Sequence, residues 1–360
     1  MRTVFNFYSG PATLPPTVLE RAQAGLANFA ETGMSVMEVS HRSREFVELL
    51  TSAEVRLRSL LQIPDDFRVF FLQGGASLQF SMVPMNFLNG GVADYVLTGV
   101  WGEKAAKAAS AFGTVKQISF KTDQGYRRAP DNGELRFSPA AVYVHYVSNE
   151  TIDGVEFGHD VEAGTLPVIC DASSDLLSRQ IDLDKYAMIY AGAQKNLGPS
   201  GVTVVVMRND LLERANGPLP LLNYRSYLTS DAMPNTPNTW GIYVMNLVLE
   251  WLLNEGGTEV IEERNIRKAA LLYDAIDGSD GFYSGTAEVA SRSRMNVVFR
   301  LSSAELEDRF CREAEAEGLI GLRGHRSAGG IRASIYNAFP IEGVERLIEF
   351  MDDFAGRDHR

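Results

Sequence analysis

The run YAGAQKNLGPSG (190–201) carries a single ammonium, Lys195, among small, amide and glycine residues, directly after an apolar stretch. A lysine taken at random is a solvated surface group. This one follows a buried-strand pattern and lies between Gly192 and Gly198, which let backbone approach a ligand closely. An amine held where water is scarce loses part of the stabilisation of its charged form and becomes a nucleophile towards carbonyls. The chemistry this suggests is a Schiff base.

An electron-sink cofactor such as pyridoxal phosphate needs more than an amine. It needs a carboxylate to keep its ring nitrogen protonated, an aromatic surface, a hydroxyl for the ring oxygen and donors for the phosphate. Asp171 ends an apolar stretch upstream of Lys195, where a buried carboxylate requires a cationic partner; the other reading is a helix N-cap. Trp101 ends another strand-like run and fits either a ring surface or a core position. Thr151, after VSNE, suits a hydroxyl contact or a turn. GGAS (74–77) opens a helix, whose free N–H groups and dipole favour a phosphate.

The elements that must position these residues follow a strand–helix rhythm. FRVFFLQGGAS (67–77), ADYVLTGVWGEK (93–104), AVYVHYVSNET (141–151), LPVICDASSD (166–175) and YAMIYAGAQK (186–195) are apolar runs ending in Gly, Asp or Asn and leading into further structure. GVTVVVMRND (201–210) adds a β-branched run suited to a strand buried on both faces. This is the pattern of an α/β fold with a mostly parallel sheet, its polar strand ends gathered at one edge. NTPNTWGIYVMNLVLEWLLNEGG (235–257) predicts a long buried helix, after which the pattern becomes helix, strand, helix, strand, helix. SRMNVVFRL (293–301) and IRASIYNAF (331–339) read as strands of a smaller α+β unit. The expected domains are 16–256 and 257–360, the latter joined by residues 1–15.

Composition narrows the function further. In 360 residues, 45% are hydrophobic and 22% charged, which describes a globular chain able to bury a large core. A net charge of −12 disfavours general nucleic-acid binding. Cys170 and Cys311 are too few for a disulfide framework or a cysteine metal site. The start MRTVFNFYSG lacks a signal-peptide pattern, and no apolar run spans a bilayer, so a cytoplasmic protein is expected. GxGxxG and GxxxxGK[ST] are both missing, which removes the common dinucleotide and nucleoside-triphosphate readings. Two basic clusters, HRSR (41–44) and RGHRSAGGIR (323–332), suit capture of an anionic substrate.

The motifs SVMEVSHRS, GGASLQF, SNETIDG, YAGAQKNLGPSG, NTP, SRMNVVF and GLRGHRSAGGIRASIYNA run in order over nearly the whole chain. With them the sequence resembles the phosphoserine aminotransferases, a family of class V, fold-type I pyridoxal-phosphate enzymes. The resemblance implies a large domain with a mostly parallel sheet flanked by helices, and a smaller C-terminal domain. It implies that Lys195 carries pyridoxal 5'-phosphate as a Schiff base and shuttles a proton, with Asp171 at the ring nitrogen, Trp101 on the ring face and Thr151 near the phenolic oxygen. Ala76, Ser77 and Gln194 would hold the phosphate, joined by Asn235 and Thr236 of the second subunit of a homodimer. Arg332 would bind the substrate α-carboxylate, His41, Arg42, His325 and Arg326 its distal anion, and Ser9 would lie close by. Some members of the family carry arginine where this chain has Ser77. The implied substrates are L-glutamate and 3-phosphohydroxypyruvate, the products 2-oxoglutarate and O-phospho-L-serine, with 4-phosphohydroxy-L-threonine as a further candidate. Rival readings are a small-amino-acid:glyoxylate aminotransferase, a cysteine desulfurase and a non-catalytic binder of phosphate metabolites. The first has little use for two basic clusters, and the second lacks a suitably placed cysteine.

Overall fold

Apolar runs supply most of the central sheet of this computed structural model, which describes residues 4–228, 233–326 and 328–358. Its seven strands are β1 (Phe67–Leu72), β2 (Val92–Leu97), β3 (Thr114–Ser119), β4 (Ala141–Val147), β5 (Val168–Asp171), β6 (Met188–Gly192) and β7 (Thr203–Arg208). They lie in the order β1-β7-β6-β5-β4-β2-β3. Only β7 runs against its neighbours; the other pairings are parallel.

Alternation along each strand sends successive side chains to opposite faces. Cys170 and Ile189 join the core on one face, beneath α1 (Pro16–Ala27), α2 (Arg44–Leu61) and α6 (Thr239–Asn254). Ile169 and Tyr190 join the core on the other, beneath α3 (Gly75–Phe87), α4 (Val100–Ala109) and α5 (Asn209–Glu213). Both faces are therefore covered, as a parallel sheet requires. Two of these helix starts are capped by their own side chains: Ser43 Oγ accepts from Phe46 N at 3.3 Å for α2, and Asn238 Oδ1 from Gly241 N at 2.9 Å for α6.

Two details depart from expectation. β3 was not foreseen, because this edge strand, TVKQIS, buries no residue fully and shows no apolar run. Trp101 does not end a strand: β2 stops at Leu97, and Trp101 is the second residue of α4.

After α6 the chain turns through Gly256 (φ +102°) into α7 (Gly257–Asp277). A small antiparallel sheet follows, β8 (Ser284–Gly285), β9 (Asn296–Arg300) and β10 (Ile331–Ser334), accompanied by α8 (Ala304–Ala316) and α9 (Ile341–Asp358). A separate core holds Phe299, Phe310, Leu347 and, from the N-terminal segment, Phe7. Phe5–Asn6 pairs in parallel with Leu319–Ile320. Among the described residues no helix is long and apolar enough to cross a membrane.

Candidate active site

The strands β6, β5, β4 and β2 are adjacent and parallel, so their C-terminal ends open on one edge of the sheet. Asp171 is the last residue of β5, Lys195 follows β6, Thr151 follows β4 and Trp101 follows β2. Residues far apart in sequence thus reach one cavity of about 110 Å³, lined by Ala76, Ser77, Trp101, Asp171, Gln194 and Lys195 among others. A larger cleft of about 530 Å³ beside Arg42 holds no such combination of amine, carboxylate and ring.

Lys195 Nζ donates to Thr151 Oγ1 at 2.6 Å and lies 5.9 Å from the centroid of the Trp101 ring. Burial pushes its ammonium down to about 8, against the opposing pull of Asp171. Asp171 accepts from Ser173 N at 2.9 Å, and burial raises its carboxyl above the usual carboxylate range while Lys195 acts the other way. No helix follows Asp171 directly, so the N-cap reading fails and the carboxyl faces the cavity instead.

Trp101 is set by a residue that sequence reasoning passed over. The fully buried Glu150 carboxyl accepts Trp101 N at 2.9 Å and Gly102 N at 2.8 Å, and Asp153 accepts Val100 N at 3.0 Å. Two acids from the SNETIDG loop therefore cap the first turn of α4, where the helix dipole favours negative charge. Gly99 has no side chain for a steric reason: a Cβ there would lie 2.3 Å from the Glu150 carboxyl carbon. Burial raises Glu150 to about 8 and Asp153 to about 6. Nothing in the sequence singled out Glu150, because Ser148 and Asn149 separate it from the apolar run and its partners are the backbone of a distant helix.

The residues fit an aromatic phosphate cofactor. The Trp101 indole N–H and Asn149 Oδ1 are buried without a hydrogen-bond partner, and both residues line the cavity. At its end α3 begins with Gly75, Ala76 and Ser77, whose N–H groups have no acceptor within the helix and so suit a phosphate. Gly74, at φ +94°, makes the turn into that helix.

Ser9 and Arg332 meet: Arg332 Nη2 donates to Ser9 Oγ at 2.9 Å, while its buried Nε has no partner. Tyr336 OH donates to Ser9 O at 2.9 Å, fixing the N-terminal loop against the small sheet. Arg332 and Lys195 lie close enough for the guanidinium to depress the ammonium. His325 is half-buried and is held down first by burial, then by Lys104, Arg332 and Arg326. His41, Arg42, Asn235 and Thr236 do not line the Lys195 cavity of their own chain. Arg42, Asn235 and Thr236 are exposed; Thr236 O accepts from Gln73 Nε2 at 2.8 Å, beside the start of α3.

Comparison with known proteins adds independent findings. The family model for aminotransferase class-V matches residues 4–347. A phosphoserine aminotransferase of Laribacter hongkongensis is 51% identical, over 99% of both chains. The structure of a phosphoserine aminotransferase from Bacillus circulans subsp. alkalophilus is similar at TM-score 0.96 with 48% identity, covering 99% of each chain. A phosphoserine aminotransferase from Trichomonas vaginalis with bound PLP is similar at TM-score 0.92 with 37% identity, covering 97% of this chain and 99% of that one.

Proposed function

Since this chain belongs to the class-V aminotransferase family, we propose that it is a pyridoxal-phosphate-dependent phosphoserine aminotransferase. It exchanges an amino group between L-glutamate and 3-phosphohydroxypyruvate, giving 2-oxoglutarate and O-phospho-L-serine. The observation that carries this reading is the meeting of Lys195, Asp171 and Trp101 at one cavity, in a chain half identical over its full length to phosphoserine aminotransferases.

When bound, the cofactor supplies an electron sink that stabilises negative charge developing at the substrate Cα. Lys195 would tether it, and once a substrate amine has taken its place there, Nζ, which burial makes easier to hold as the neutral amine, would take the proton from that Cα and return it in the reverse direction. Asp171 would hold positive charge on the cofactor's ring nitrogen, Thr151 would serve its ring oxygen and Trp101 would offer a flat face. Ala76, Ser77 and Gln194 hold the phosphate, with Asn235 and Thr236 of a second subunit. Arg332 grips the α-carboxylate beside Ser9, and its unpartnered buried Nε leaves a donor for that purpose. His41, Arg42, His325 and Arg326 receive the distal anion.

The same proposal assigns residues 16–256 to a large domain and 257–360 with 1–15 to a small one; of these, 1–3, 229–232, 327 and 359–360 lie outside the described residues. A homodimer in the cytoplasm completes it, and 4-phosphohydroxy-L-threonine, with the same distal phosphate, falls within the expected substrates. A coupled assay with glutamate against phosphohydroxypyruvate, pyruvate and glyoxylate is the test. Turnover should be fastest with the phosphorylated acceptor and vanish in Lys195→Ala. Preference for glyoxylate would overturn the substrate assignment.

A further inference from the structure

One cation near the cavity has no role in the scheme above. Lys104 lies three residues after Trp101 on α4, a spacing that places two side chains on the same helix face. Its Nζ stands 4.0 Å from the centroid of the Trp101 ring. No carboxylate among the described residues pairs with it. The adjacent Glu103 is engaged by Lys121 Nζ at 2.9 Å and Tyr126 OH at 3.0 Å, and Glu150 is committed to the backbone of α4.

Lys104 also lies within the field of the proposed distal-anion residue His325. The charges acting on His325 are those of Lys104, Arg332 and Arg326, all of one sign. In a chain of net charge −12, like charges gathered around one imidazole repel one another until an anion joins them. With Arg332 assigned to the α-carboxylate in that scheme, Lys104 is left beside His325, one of the residues proposed for the distal anion. An ammonium on a flexible stem is a point charge without the fork that orients a carboxylate, and its attraction grows with the charge of its partner.

We propose that Lys104 is a specificity-determining residue whose ammonium binds the distal phosphate of the substrate and thereby favours phosphorylated acceptors over those ending in a single carboxylate. The inference rests on the phosphoserine aminotransferase reading and names a residue that reading does not use.

The test compares Lys104→Met, which keeps an unbranched stem beside Trp101 without its charge, with Lys104→Arg, which restores the charge. In holoenzyme, Lys104→Met should raise KM for 3-phosphohydroxypyruvate about tenfold, as loss of one charge-assisted contact implies. KM for glutamate should rise less than about threefold, since a monoanion feels about half the attraction. Inorganic phosphate, titrated at equilibrium through tryptophan fluorescence, should bind about tenfold more weakly to the variant, and Lys104→Arg should recover most of both losses. Equal losses for both substrates would show that Lys104 acts only through the posture of Trp101 and would overturn the proposal, as would unchanged phosphate affinity. Failure of the wild type to use phosphohydroxypyruvate would instead overturn the underlying assignment.

Discussion

Asp171 and Glu150 are buried carboxyls within the field of one amine, and each serves a different group. Asp171 points its charge at the cavity; Glu150 spends its two oxygens on the N–H groups of Trp101 and Gly102. Lys195, pushed down to about 8 by burial, is a neutral amine at a far lower pH than an ordinary lysine. The rate at which cofactor-free protein captures pyridoxal phosphate should therefore rise with pH and level off above a midpoint near 8, followed by absorbance in rapid mixing. A midpoint near 10.5, the ordinary lysine value, would contradict the burial argument. Negative charge on Glu150 favours the ammonium, so Glu150→Ala should move that midpoint lower, not higher. The same substitution strands two buried N–H groups and should cost about 1–3 kcal/mol of stability, measured by denaturant unfolding. Lys195 and Asp171 were legible in sequence because each stands at the end of an apolar run. Glu150 and Asn149 were not: their importance comes from the return of one loop onto the start of a helix far away in sequence.

At the scale of elements, the phosphate end of the cavity depends on how β1 turns into α3. Gly74 and Gly75 hold φ at +94° and +68°, a region costly for side-chain-bearing residues by roughly 1–2 kcal/mol each. The two sites differ in space, however. A Cβ at Gly75 meets nothing within 4 Å, whereas one at Gly74 would come within 2.4 Å of Leu78 Cδ2. Gly74→Ala should thus displace the first turn of α3 and weaken retention of pyridoxal phosphate more than Gly75→Ala does, read as loss of bound cofactor on dialysis. Equal loss in both would mean that backbone strain alone governs the turn. The central strands were readable because strands buried on both faces are continuous apolar runs. β3 escaped notice for the converse reason: at the edge of the sheet it buries little, and its polar residues give no periodic signal. Trp101 was displaced by a few residues between strand and helix because Thr98 and Gly99 form the turn, and what demands glycine there is the remote Glu150 carboxyl.

Across the whole molecule, a file of amides joins the region of Lys195 to the small sheet that carries Arg332. Asn337 N donates to Asn196 Oδ1 at 3.0 Å, and Asn265 Nδ2 donates to Asn337 Oδ1 at 2.8 Å, tying the residue after Lys195 to the strand end beyond Arg332. Other proposed substrate ligands lie apart from this joint. Arg42 lines a cleft with Met233 and Pro237, so the segments bearing His41–Arg42 and Asn235–Thr236 share one face without lining the Lys195 cavity of the same chain. Met34 and Met37 are exposed nearby in sequence, at 45% and 61%, as an interface would leave them in an isolated chain. If a second subunit brings Arg42 to Lys195, then two defective chains can repair each other. Lys195→Ala and Arg42→Ala chains refolded together form mixed dimers in which one site inherits both defects and the other inherits neither. With random pairing, half the dimers are mixed and one site in each is intact, so activity should return to about a quarter of wild type in a symmetric homodimer. A site built within one chain predicts no recovery, because every cavity would keep either the missing amine or the missing guanidinium.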